Sequence, residues 1–133
     1  MITLKTLEKA TAQEVFDQVA VHLLKQKRQS RQTQEQGKPY SFCAYRGDNG
    51  LKCAAGCLIG DDEYQHTMEG GSWTVFVVNG LAPEKHHKLI RSLQSLHDAT
   101  VFTDWARGLR EIANKYSLDD KIITTTQAEE ANE

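Results

Sequence analysis

The stretch Tyr40–Ile59, YSFCAYRGDNGLKCAAGCLI, decides the fold class. Phe42, Ala44 and Arg46 alternate with Cys43 and Tyr45, and this period of two predicts a strand. Asp48-Asn49-Gly50 follows as a turn signal, because Asn and Gly tolerate the positive φ that tight turns demand. Beyond it the chain either returns as a second strand, closing a hairpin, or enters a short helix near Lys52. Ala54 and Ala55, in a run poor in β-branched residues, favour the helix. Farther on, Trp73-Thr74-Val75-Phe76-Val77-Val78 is β-branched and aromatic and is closed by Asn79-Gly80. Propensity predicts a strand there, with a short buried helix as the competing reading, since periodicity cannot separate the two over so short a run.

The flanks read as helices. Thr11 followed by Glu14 is a capping box, each side chain meeting an orphan amide at a helix start. Val15, Phe16, Val19, Leu23 and Leu24 then form one apolar stripe, predicting a helix over 12–28. Pro83 suits the first residue of a helix whose stripe is Leu89, Ile90, Leu93, Leu96 and His97. Thr103 is placed to cap the next, which carries Trp105, Leu109, Ile112, Ala113 and Tyr116 at helical spacing. The expectation is an α+β fold, a single globular domain over 1–118. In it about four helices pack on a short β-hairpin or a few short strands, followed by a polar, acidic, frayed tail at 119–133.

Composition narrows the class. The chain has 133 residues with 16 Lys+Arg against 18 Asp+Glu, a formal charge of -2, which argues against a dedicated nucleic-acid binder. Apolar residues make up 39% and charged residues 26%, which excludes wholesale disorder. No apolar run approaches the roughly 20 residues that span a bilayer, and Met1–Lys5 does not read as a signal peptide. Three cysteines without an export signal point to the reducing cytoplasm.

Three stretches are candidates for function. Gln26–Lys38 contains no apolar residue and cannot bury a face, so a mobile basic loop is expected at about 28–38. Its cations, Lys25, Lys27, Arg28, Arg31 and Lys38, oppose only Glu35, and form either a patch for an acidic partner or nucleic acid, or a solvated loop. Tyr45 and Arg46 beside the turn are residue types favoured in binding hot spots, unless Arg46 pairs with Asp61-Asp62-Glu63. Cys43, Cys53 and Cys57, with His66 or His97, offer four zinc ligands, although their spacing matches structural zinc sites poorly and free cysteines commonly pack as small apolar groups. As a nucleophile, Cys53 would lie in the first turn of a helix beside Lys52, both of which lower a thiol pKa, with His97-Asp98 or His86-His87 as base and orienter. Gly47–Gly50 is too short and too acidic to cradle phosphate, and no cofactor motif is present.

Cys43-Ala-Tyr-Arg-Gly47, Gly50-Leu-Lys-Cys-Ala-Ala-Gly-Cys-Leu-Ile59 and Asp61–Tyr64, with Met68-Glu69-Gly70, Trp73, Leu93-Gln94, His97-Asp98 and Trp105, resemble a family of small phage- and prophage-encoded proteins over about 12–118. Gly60 departs from the pattern, which has Pro there. The resemblance implies a bacterial host cytoplasm and an accessory role, and carries no activity. The functional expectation is a non-enzymatic accessory protein that docks on a host bacterial protein through Lys27, Arg28, Arg31, Tyr45 and Arg46, without a cofactor and away from the membrane. A homo-oligomer is left open. The alternatives are a cysteine-dependent enzyme or zinc module, and nucleic-acid binding through 25–38.

Overall fold

In the computed structural model, which describes residues 1–33 and 41–132, five α-helices carry the core. Helix α1, Ala12–Gln26, begins at the expected capping box: Glu14 N–H donates to Thr11 Oγ1 and Thr11 N–H to Glu14 Oε1. Its stripe of Val15, Phe16, Val19, Ala20, Leu23 and Leu24 is buried, and it ends where Lys27 turns left-handed at φ 56°. Helices α3 (His87–Ala99), α4 (Trp105–Lys115) and α5 (Lys121–Ala131) pack around α1. Leu89, Ile90, Leu93, Leu96 and His97 face inward from α3, and Trp105, Leu109 and Ala113 from α4, as the periodicity predicts.

The starts of α3 and α4 differ from expectation. Pro83 lies in an irregular segment, and α3 begins only at His87. There Lys85 Nζ donates to Glu8 O and His86 Nε2 contacts Ala10 O at 2.7 Å, which anchors the entry to the N-terminal segment. A 3-10 turn at Phe102–Asp104 leads into α4, and Thr103 does not cap it. The segment read as a frayed tail contains α5, which buries Ile123 and Thr126 against α1 and aligns Glu129 and Glu130 with Lys25 and Lys27.

The α+β expectation is overturned, and the architecture is nearer all-α. Trp73–Val78 is helix α2. Ser72 Oγ accepts from Val75 N–H at its start, and Trp73 and Phe76, one turn apart, bury their rings edge to face at 5.7 Å. Val75 and Val78 point outward, so the burial period is helical. A strand needs a neighbour for its backbone groups, and among the described residues none lies beside this run. The hairpin about Asp48–Gly50 is absent too. Asn49 (φ 62°) and Gly50 (φ 75°) make the expected turn, but the chain then enters a 3-10 turn at Ala55–Leu58. Among the described residues, extended pairing is confined to three residues on each side, β1 (Arg31–Thr33) antiparallel to β2 (Ser41–Cys43), too little to form a layer. Of the mobile loop expected at about 28–38, Gln29 and Ser30 are hydrogen-bonded to His97, residues 31–33 are β1, and 34–38 lie outside the described residues. No described helix is long and apolar enough to cross a membrane.

Gly56 marks the tightest backbone approach. A Cβ there would stand 2.4 Å from Tyr45 O, whereas one at Gly108 meets only the movable end of Leu96. Gly56→Ala is expected to cost about 2–3 kcal/mol in urea unfolding and Gly108→Ala less, because a carbonyl cannot rotate away as a Leu methyl can. Equal costs would mean that the two contacts relax alike.

Candidate functional site

The residues proposed for docking do not share an outer surface. Tyr45 is only 7% exposed, and its hydroxyl donates to Gly71 O at 2.5 Å. Arg46 turns inward: Nη1 donates to Gly56 O, Nη2 to Ile59 O and to Asp61 Oδ1 at 3.1 Å, and its guanidinium lies over the Tyr64 ring. It thus takes the pairing with the acidic stretch and also satisfies backbone carbonyls. Glu69 completes this knot, accepting from the backbone N–H groups of Tyr45 and Arg46 and from the Tyr64 hydroxyl. Of the basic residues, Lys27 pairs with Glu130 at 3.2 Å, Arg31 donates to Gln29 Oε1 and contacts Cys43 Sγ, and Arg28 is exposed.

The cysteines separate as well. Cys53 is 1% exposed, takes an N–H from Gly56 on its sulfur at 3.2 Å, and has its thiol pKa raised by burial. The lowered pKa expected from Lys52 and a helix start is therefore reversed, because loss of solvent at the buried sulfur outweighs the Gly56 N–H that favours the thiolate. Cys57 donates to Ala54 O, lines a different groove beside Gln18, His22 and Lys52, and is pushed up to about 12 by burial. His66 is exposed on its own turn.

Cys43 does meet His97, together with Asp98: one ligand atom from each lies within 4.8 Å of the others. The hydrogen bonds define what this trio can do. Ser30 N–H donates to His97 Nε2 at 2.9 Å, so Nε2 carries the lone pair and Nδ1 the proton, which goes to Asp98 Oδ1 at 2.7 Å. A metal on Nδ1 would require expelling that proton while Ser30 still occupied Nε2, so the trio is a poor zinc site. The same bonds leave His97 no free nitrogen with which to accept a proton from Cys43. Burial and the Asp98 charge raise the Cys43 thiol pKa, against the smaller opposing influence of Arg31.

Asp98 belongs to a longer chain of bonds. Ala55 N–H donates to Gln94 Oε1, and Gln94 Nε2 donates to Asp98 Oδ1 at 2.8 Å. These groups line a cleft of about 340 Å³ between Cys43–Tyr45, the Gly70–Trp73 loop and α3, a volume in the range of small-ligand sites. Arg91 and Ser95 form part of its α3 wall. On the opposite side stands Trp73, whose solvent-shielded Nε1–H has no acceptor among the described residues, whereas Trp105 Nε1–H is held by Thr100 O. Sequence reading missed Arg91, Gln94, Ser95 and Trp73. The signal was present in α3: 91, 94, 95 and 98 fall at i, i+3, i+4 and i+7, a polar stripe beside the apolar one.

Two measurements check this chemistry. With iodoacetamide at neutral pH, Cys43 is expected to label first and slowly, with Cys53 silent until denaturant is added; rapid labelling of Cys53 would contradict its burial. Second, burial holds the His22 pKa below the ordinary imidazole value, and its Nε2 lies 2.8 Å from Lys52 O. The unfolded chain then takes up a proton that the folded chain refuses as pH falls through roughly 6.5. Stability is thus full above that pH and drops below it, and the urea midpoint is expected to fall less between pH 7 and 5 in His22→Gln than in wild type. Parallel curves would assign the loss elsewhere.

Compared with family models, with curated proteins and with solved structures, the chain matches none.

Proposed function

We propose that this chain is a non-enzymatic binding protein whose site is the cleft walled by Cys43–Tyr45, the Gly70–Trp73 loop and α3. The observation that carries the reading is the contrast between committed and uncommitted groups. His97 has both nitrogens engaged and the three cysteine thiols are raised, so His97 and the cysteines form no pair of free base and activated nucleophile. The cleft meanwhile offers Arg91, without a carboxylate partner among the described residues, and the exposed Asp98 side chain, and Trp73 in its wall has a buried indole N–H with no acceptor among the described residues. A buried donor without an acceptor costs about 1–3 kcal/mol, which a ligand acceptor would return as affinity.

The docking residues proposed from sequence change accordingly. Tyr45 and Arg46 build the wall and its backing rather than the contact surface, and the contact groups become Trp73, Arg91, Ser95 and Asp98. The phage setting implied by the resemblance would make the bound molecule one met in a bacterial host.

Two tryptophans give two indole N–H signals in a 15N spectrum, and Trp105 is the internal control. Titration with a library of small polar fragments is expected to shift the Trp73 indole while leaving Trp105 in place. Asp98→Asn should weaken those shifts without changing the thermal midpoint by more than a few degrees. A library that moves neither signal, or both equally, would sink the reading.

A further inference from the structure

Beside the cleft lies a second, more open groove of about 650 Å³ that shares Arg91 and Ser95 with it. Lys88 and Lys115 stand along this groove, and its floor holds the hydroxyls of Ser92 and Tyr116, 2.9 Å apart. No carboxylate lines it. Elsewhere among the described residues, Lys5, Lys25, Lys27, Arg46, Lys52, Arg107 and Lys121 each have a carboxylate at 2.9–3.8 Å. Lys88, Arg91 and Lys115 have none, and Lys115 contacts only the Tyr116 ring face, at 5.5 Å. In a chain of net charge -2, three unmatched cations converging on one hydroxyl-floored groove form a local positive field.

We infer that the cleft and this groove together bind a nucleotide-sized phosphate monoester, with the phosphate on Lys88, Arg91 and Lys115 and the polar head beside Trp73 and Asp98. The inference rests on the cleft reading above and adds the ligand's charge and class. A phosphate accepts several hydrogen bonds at once, so it suits a site built from a guanidinium fork, two ammonium groups and hydroxyls better than a single carboxylate does. Arg91, lining both spaces, is the residue that links head to phosphate. The head must both accept and donate, since the cleft is lined by the Ser72 and Ser95 hydroxyls and the Asp98 carboxylate; a nucleobase or a sugar has both capacities.

The test uses the full chain, titrated calorimetrically at low salt with ribonucleoside monophosphates, the matching nucleosides and inorganic phosphate. A nucleotide is expected to bind with loss of affinity as salt rises, and at least about tenfold more tightly than its nucleoside or free phosphate. The double variant Lys88→Ala/Lys115→Ala should weaken the nucleotide about tenfold or more while leaving nucleoside-induced shifts of the Trp73 indole in place, and Arg91→Glu, at the residue shared by both spaces, should weaken the nucleotide at least as much. Inorganic phosphate binding as tightly as any nucleotide would overturn the joined site and leave a bare anion groove. A nucleotide that binds no more tightly than its nucleoside, and equally well to the Lys88→Ala/Lys115→Ala variant, would overturn the inference while sparing the cleft reading. Absence of binding by every probe would overturn the inference, and a fragment screen that also leaves Trp73 unmoved would remove the cleft reading beneath it.

Discussion

The imidazole of His97 holds this molecule together. It sits fully buried on α3, stacked on Trp105 of α4, with Nε2 accepting the Ser30 amide just after α1. Ser30 is buried too, and both its hydroxyl and its carbonyl bond to Ala44, so one ring connects two helices, the exit from a third and the segment leaving β2. A polar group buried this deeply is tolerated only because each of its hydrogen-bonding atoms is satisfied. That requirement also sets its tautomer, and through the tautomer the role of Asp98 as the proton acceptor on Nδ1.

From there the irregular stretch between β2 and α2 becomes intelligible. It has little regular structure, so its backbone groups must be met by side chains. Glu69 meets two amides, Arg46 two carbonyls, and Glu63 caps the amides of Leu4, Lys5 and Gly60. The charged residues that look on paper like recognition elements are the scaffold. They hold Tyr45 and the Gly70–Trp73 loop rigidly against α3, and a rigid wall is what a binding cleft needs to avoid an ordering cost on association.

Charge is distributed by the same logic. Lys25 and Lys27 at the basic end of α1 are paired with Glu129 and Glu130 of α5, so part of the basicity near residues 25–31 is neutralised locally. Lys88, Arg91 and Lys115, without a carboxylate partner among the described residues, line one groove along α3 and the end of α4, where sequence reading had marked nothing. Exposed pairs of this kind add little stability, and their effect is on where the field points.

The helical stripes, the Thr11–Glu14 cap and the left-handed turn at Asn49-Gly50 were all legible in the sequence, because each depends on residues within a turn or two of one another. The polar stripe of α3 was legible in principle and hid behind the more familiar apolar one. What the chain alone could not reveal was whether β-branched Trp73–Val78 would find a strand neighbour; without one, the same residues bury Trp73 and Phe76 as one side of a helix. Nor could it reveal that Glu69 would claim the amides of Tyr45 and Arg46, or that Ser30 would take the free nitrogen of His97. Those partners lie 23–67 positions apart. Local periodicity determined the elements, while the choice between structural and functional use of each polar side chain fell to packing, which decides what lies within hydrogen-bonding reach.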